Sequence, residues 1–272
     1  MHDILRALVL GIVEGLTEFL PISSTGHMIL VEPWLGIPES DPFWAGTFNI
    51  FIQIGAILAV VIFFWRRLWR LAVHPAAASW PDHILVKLLV AFLPAAVVGF
   101  MIHKTIEKHL MTAPVVAGAL VVGGIAIILI EALVRHPGIA DAGGVSLRCA
   151  LAIGIVQCFS MIPGTSRSGA TIMGALALGL TPAAAAEFSF FLAIPTMFAA
   201  GGYSLLKHLK DIRPDQYVPL AVGFVVSFIV AWLVIKAFMG FIQTHRFTSF
   251  AIYRIVLGLI VLGCYAAAMR GG

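Results

Sequence analysis

The chain has 272 residues, 61% of them hydrophobic and only 11% charged, with a formal net charge of +4. No soluble domain of this length hides that much apolar surface, so lipid is the solvent for most of the chain. The basic residues lie mostly at the ends of apolar segments, as membrane anchors do, which speaks against a nucleic-acid partner.

The first apolar region is Ile4–Leu35. Its leading stretch, Met1–Leu10, reaches Glu14 too soon for the apolar core of a cleaved signal, so the expectation is that it stays in the mature protein. Near its middle the region is broken by Pro21-Ile22-Ser23-Ser24-Thr25-Gly26. Three runs of bilayer-crossing length follow: Thr47–Trp65, Ile84–His103 and Pro114–Val134. A second interrupted region, Val145–Leu180, carries Pro163-Gly164-Thr165-Ser166-Arg167-Ser168-Gly169 at its break. Three more spans close the chain, Ala184–Leu206, Tyr217–Met239 and Phe247–Met269. The pieces beside each break suit half-helices, and irregular backbone at membrane depth is tolerated only where protein or water surrounds it. Both regions therefore read as re-entrant hairpins with buried tips. Cys149, Cys158 and Cys264 are odd in number and widely spaced, which fits packing rather than a disulfide framework or a zinc cluster.

The halves resemble each other. Gly11-Ile12-Val13-Glu14 matches Gly154-Ile155-Val156-Gln157, Pro21 matches Pro163, and the Phe48, Phe51, Ile54 pattern matches Phe188, Phe191, Ile194. Each half holds one hairpin and three spans, an odd number, so the second half enters the membrane upside down. The fold class expected is an all-α polytopic membrane protein: an inverted-topology repeat with six transmembrane helices and two re-entrant helix hairpins. It is one membrane domain over 1–272, with a first repeat over 1–135 and a second over 145–270. In such repeats broken-helix tips meet near the bilayer midplane. Charge does not orient the chain. Arg66, Arg67, Arg70, Arg135, Arg148, Lys236 and Arg246 fall on one face, and Arg6, Lys104, Lys108, Lys207, Lys210, Arg213 and Arg270 on the other.

Glu14 and Glu18 stand one helical turn apart in an apolar segment, where a carboxylate costs roughly 2.5–3.5 kcal/mol and faces a cavity for a reason. A helix starting near Ser23 or Ser24 presents free N–H groups that suit phosphate, as does the tip at Thr165-Ser166-Arg167-Ser168. Capping accounts for one or two of these hydroxyls, and not for Arg167, whose planar fork matches phosphate oxygens. The acidic pair would repel a phosphate unless one carboxyl is protonated, Arg167 neutralises them, or a divalent cation, Mg²⁺ or Ca²⁺, bridges them to it. His27 follows Ser24 by three residues, a spacing that lets imidazole serve as base or acid beside the hydroxyl. Asn49, Gln53 and Glu187 read as interhelical hydrogen-bonding residues, with support of the site open to Glu187. Arg254, deep in the last span, is a further candidate to reach the cavity.

Glu14-Gly15-Leu16-Thr17-Glu18 fits an E-x-x-x-E motif, and Pro163-Gly164-Thr165-Ser166-Arg167-Ser168-Gly169-Ala170-Thr171 fits PGxSRSxxT. With the Pro21–His27 stretch, these resemble the undecaprenyl-diphosphate phosphatase family of the bacitracin-resistance type, over essentially the whole chain. The resemblance implies hydrolysis of a polyprenyl diphosphate lipid to its monophosphate, recycling the carrier for wall polymers. It also implies a bacterial plasma membrane location, a site facing the periplasmic side and a divalent cation. Carried over, Glu14 and Glu18 are the acidic motif and metal ligands, and Glu18, Ser24, His27 and Arg167 the catalytic set. Ser23, Thr25, Gly26, Thr165, Ser166 and Ser168 are expected around the substrate. Ser24 attack with His27 assisting is preferred, and histidine attack is the other assignment. In the other membrane lipid phosphatase pattern the catalytic histidine would fall at Met173, which does no acid–base work. Broken helices in inverted repeats are also transporter architecture, so a lipid flippase is the rival reading, and a homodimer stays open.

Overall fold

A computed structural model describes residues 2–38, 41–73, 83–134, 137–208 and 212–271. Its helices are α1 His2–Thr17, α2 Ser24–Val31, α3 Asn49–Phe63, α4 Trp65–Val73, α5 Ile84–His109 and α6 Ala113–Leu133. The second half holds α7 Leu147–Gln157, α8 Arg167–Ala177, α9 Pro182–His208, α10 Tyr217–Phe241 and α11 Thr248–Gly271. Among the described residues there is no β-strand, only one isolated bridge between Ile139 and Leu180. Arg135 and Lys210 of the charge count lie outside the described residues, as do the side chains of Lys104, Lys108, Lys207 and Arg270.

Among the described residues, six helices are long and apolar enough to cross a membrane: Pro42–Phe63, Ile84–Ile102, Ala113–Leu133, Pro182–Tyr203, Pro214–Phe241 and Thr248–Met269. All six match expected spans, with one end moved substantially. The first begins five residues before Thr47, because a π-helical turn over Pro42–Phe48, capped by the Asp41 carboxylate, feeds straight into α3. The short α4 is an element that hydropathy passes over. Its Arg and Trp residues read as a span end, yet they form a separate amphipathic helix with Trp65 and Trp69 stacked at 5.8 Å.

Each interrupted region folds back on itself. The Arg6 guanidinium on α1 donates to the carbonyls of Leu35 and Gly36 just past α2, at 3.1 and 3.0 Å, so the chain returns to where α1 began. In the second region Gly138 N–H donates to Gly179 O at 2.9 Å and Thr181 N–H to Ile139 O at 2.8 Å, bringing the end of α8 beside the start of α7. The two regions are then exchanged between the halves of the chain: α1 lies along α10, whereas α7 lies along α5. Glycine permits both contacts. A Cβ on Gly15 would stand 2.8 Å from the Ser227 carbonyl oxygen of α10, and one on Gly154 would run into the Ala91 carbonyl of α5. Small residues of this kind let helix backbones approach in lipid, where dispersion and hydrogen bonds rather than water exclusion drive association. The core between these layers includes Phe19, Phe188, Phe190, Phe191 and Phe247, all fully buried.

Candidate functional site

Both breaks are built the same way. Ser23 precedes α2 with φ 72° and Ser166 precedes α8 with φ 73°, the only two non-glycine residues of positive φ among those described. Such backbone costs on the order of 1–3 kcal/mol and persists where surrounding contacts over-determine it. Here each serine caps its helix, accepting the N–H of Gly26 at 3.3 Å or of Gly169 at 3.0 Å on Oγ. The first helical residues are then Ser24 and Arg167. The second turn also needs Gly164, whose φ is +94° and whose missing Cβ leaves room for the Val116 backbone of α6.

The two turns meet on one carboxylate. Ser24 Oγ donates to Glu18 Oε2 at 2.5 Å, and Arg167 Nη2 donates to Glu18 Oε1 at 3.0 Å. Glu18 and Ser24 are buried, at 7% and 8% exposure. Arg167 is further held by Nη1 donating to the Ser189 carbonyl at 3.1 Å and lies 5.8 Å from the centre of the Phe19 ring. Glu18, Ser24 and Arg167 line a polar cavity of about 190 Å³ with Ser23, Thr25, Ser166, Gln53, Ser160 and Thr196. The last three are cavity residues beyond the set expected from sequence. Gln53 was read as an interhelical hydrogen-bonding residue, and serines or threonines in apolar helices carry no signal that separates lining from packing.

Glu14 lines the adjoining cavity, about 340 Å³, together with Glu32 and Asn49; Ser24, Thr25 and Gln53 line both. Asn49 Nδ2 donates to Glu32 Oε1 at 2.6 Å. Glu14 is buried and its Oε1 has no protein partner, nor has the buried Nε of Arg167. An unmet carboxylate oxygen beside a second carboxylate is a hard donor set that fits Mg²⁺ or Ca²⁺. Among the described residues no three His, Cys, Asp or Glu converge as a metal group, so the rest of a cation's coordination would come from phosphate oxygens and water.

Several expected residues are engaged by protein groups. His27 is not hydrogen-bonded to Ser24: its Nδ1 lies 2.7 Å from the Ser23 carbonyl oxygen and its Nε2 2.7 Å from the Tyr253 hydroxyl. Helical spacing set the two residues on neighbouring positions but left the ring's direction free, and Tyr253 took it. Ser168 is fully buried, and its hydroxyl donates to the Leu20 and Glu18 carbonyls at 2.8 and 3.2 Å, which ties the second turn to the first. Thr165 and Gly26 are outside the cavity lining: Thr165 gives its carbonyl to Arg254, and Gly26 its N–H to the Ser23 cap. Glu187 does not line the cavity. It accepts from Arg67 Nε at 2.9 Å, and Arg67 also reaches Asp141.

Arg254 does not open onto the polar cavity. It is 1% exposed, and its guanidinium donates to five carbonyls: Pro21 in the first break, Gly164 and Thr165 in the second, and Ala119 and Leu120 on α6. Breaking a helix frees carbonyls that lipid cannot satisfy. One arginine from α11 satisfies them in both turns, and Gly123 of α6 is the residue whose missing side chain makes room for it.

A match to "Bacitracin resistance protein BacA" runs over residues 7–260 and takes in both turns. The chain belongs to this family. It is 45% identical over 269 residues to the "Undecaprenyl-diphosphatase" of Rhodopseudomonas palustris (strain BisB18), covering 99% of each chain. It is 48% identical over 265 residues to the protein of the same name from Rhizorhabdus wittichii, covering 96% of this chain and 97% of that one. "Undecaprenyl-diphosphatase 2" of Paramagnetospirillum magneticum is 48% identical over 260 residues, 94% of this chain and 97% of that one. In this BacA family chain, both strained serines and all three residues of the Ser24–Glu18–Arg167 group lie inside the matched region.

Proposed function

We propose that the chain hydrolyses undecaprenyl diphosphate to undecaprenyl phosphate and inorganic phosphate, returning the lipid carrier to cell-wall polymer synthesis. The observation that carries this reading is the Glu18 carboxylate, shared between a serine hydroxyl and an arginine in a polar cavity inside an apolar protein. The names of relatives matched over nearly the full chain support it.

Ser24 Oγ attacks the terminal phosphorus as its proton passes to Glu18 Oε2, the acceptor it already faces. The bond from that phosphorus to the bridging oxygen breaks, undecaprenyl phosphate leaves, and a phosphoserine remains. Water then attacks the phosphoserine, freeing phosphate and returning the hydrogen to Ser24. Arg167 and the starts of α2 and α8 hold the phosphoryl oxygens as charge builds on them. A divalent cation held by Glu14 and Glu18 would neutralise the diphosphate. Ser23, Thr25 and Ser166 face the substrate headgroup. The isoprenoid tail lies between spans, where the groove at Leu20, Ile22, Phe238, Phe250 and Tyr253 is lined almost wholly by apolar side chains.

The half-helices α1, α2, α7 and α8 enter and leave the membrane on one side each, as an inverted repeat over 1–135 and 145–270. The protein sits in the bacterial inner membrane with its cavity toward the periplasm. Phosphate release from undecaprenyl diphosphate by detergent-solubilised protein tests the reading. A flippase needs two compartments to show its work and a hydrolase needs none, so absence of release in detergent would overturn hydrolysis.

A further inference from the structure

Tyr253 belongs to neither motif and lies outside the polar cavity, yet its contact decides what His27 does. The Ser23 carbonyl 2.7 Å from His27 Nδ1 can only accept, so Nδ1 carries a hydrogen. In the neutral ring Nε2 then accepts the Tyr253 O–H at 2.7 Å, and the two rings lie nearly parallel with centroids 5.7 Å apart. Both nitrogens are engaged, and neither has a lone pair left for Ser24. The Ser24 hydroxyl in turn is engaged with Glu18.

The second turn supplies an internal comparison. There Ser166 O accepts the Ala170 N–H at 2.9 Å, an ordinary helical bond. In the first turn the equivalent bond, His27 N–H to Ser23 O, is stretched to 3.3 Å, and the imidazole adds a shorter one to the same oxygen. The supplement is found in the turn that aims a hydroxyl and not in the one that aims an arginine.

We propose that Tyr253 and His27 form a strut that fixes the Ser23–Ser24 turn, with His27 acting as a positioning residue through its Nδ1–H rather than as an acid or base. Tyr253 holds the imidazole, the imidazole holds the Ser23 carbonyl, and the carbonyl's peptide sets the direction of Ser24. This rests on the reading of Ser24 as nucleophile.

The test compares kcat and KM for phosphate release from undecaprenyl diphosphate by the full-length protein and its His27→Asn, His27→Gln, His27→Ala and Tyr253→Phe variants. An asparagine amide nitrogen stands where Nδ1 stood and can donate to Ser23, whereas glutamine and alanine leave that position empty. The strut predicts that His27→Asn keeps kcat within ~10-fold of wild type while the other two histidine variants fall by ~10²-fold, the cost of misplacing a reacting group by about 1 Å. Tyr253→Phe lowers kcat by about 10-fold, and adds nothing to the kcat effect on the His27→Asn background. If His27→Asn is as inactive as His27→Ala while its elution profile and melting temperature match wild type, the strut is overturned and His27 does proton chemistry. Full kcat in Tyr253→Phe overturns it as well. A wild-type protein that releases no phosphate overturns the hydrolase reading and the strut together, whereas an active wild type isolates the strut.

Discussion

Ser24 and Arg167 occupy the same place in two turns, each the first residue of a helix behind a serine of positive φ, and they meet on opposite oxygens of Glu18. One turn delivers a hydroxyl and the other a cation to a single carboxylate. The site is thus shared between stretches of chain 149 residues apart at the Arg167–Glu18 bond, and neither stretch contains it alone.

The fork of Arg167 divides its two Nη atoms between the Ser189 carbonyl and Glu18. Lysine supplies charge but only a point donor. Arg167→Lys is expected to lower kcat by ~10²-fold, in the range of losing one transition-state donor. Phosphate release at saturating lipid measures it. Unchanged circular dichroism and elution volume show that insertion is intact.

Glu14 has a buried oxygen that no protein group satisfies. Chelation with EDTA is expected to abolish phosphate release, and Mg²⁺ or Ca²⁺ to restore it. Glu14→Gln keeps the shape and removes the charge, so the cation concentration for half-maximal activity should rise by ~10-fold or more. Isothermal titration of the cation without substrate reads the same loss independently of turnover.

Arg254 donates to five carbonyls, and three of them, Pro21, Gly164 and Thr165, lie in the breaks, outside any helical ladder. Arg254→Met fills the volume and supplies no donor. Stranding even two or three carbonyls costs on the order of 3 kcal/mol or more, which lowers the melting temperature by about 10 °C. Thermal unfolding in detergent measures this. Phosphate release should fall too, since both turns lose their common anchor.

Asp141 lies outside the spans. Burial pushes its carboxyl up, but the hydrogen bonds from Arg67 and the Gly143 N–H outweigh it, and the group titrates below the ordinary carboxylate range. A depressed folded value stabilises the protein above the unfolded pKa of roughly 3.9, and the stabilisation is lost as pH falls through the lower folded value. Wild type should therefore melt above Asp141→Asn at neutral pH, with the gap closing on acidification below about pH 4. Melting curves from pH 7 to pH 2.5 check the sign. A gap that widens toward acid would contradict it.

The spans were legible because hydropathy over about 20 residues is a strong signal, and the breaks because Pro21 and Pro163 each precede a run of small hydroxyl residues. Glu18, Ser24 and Arg167 stood out for the same reason: charge and hydroxyl groups are costly in lipid and cluster where they act. What spacing leaves open is direction. His27 turned to a tyrosine 226 residues away, a partner that local spacing does not encode. Ser168 turned its hydroxyl to backbone carbonyls, and carbonyls carry no side-chain label in a sequence. The α4 helix was passed over because nine residues rich in Arg and Trp look like the frayed edge of a span.

The Arg254 clamp also sets an order of assembly. Pro21, which it holds, leaves the ribosome 233 residues before it does. At roughly 5–20 residues per second the nascent first hairpin waits about 10–50 seconds for its anchor. Until residue 167 is translated Glu18 lacks its ion-pair partner, and until residue 254 is translated the two breaks lack their shared donor.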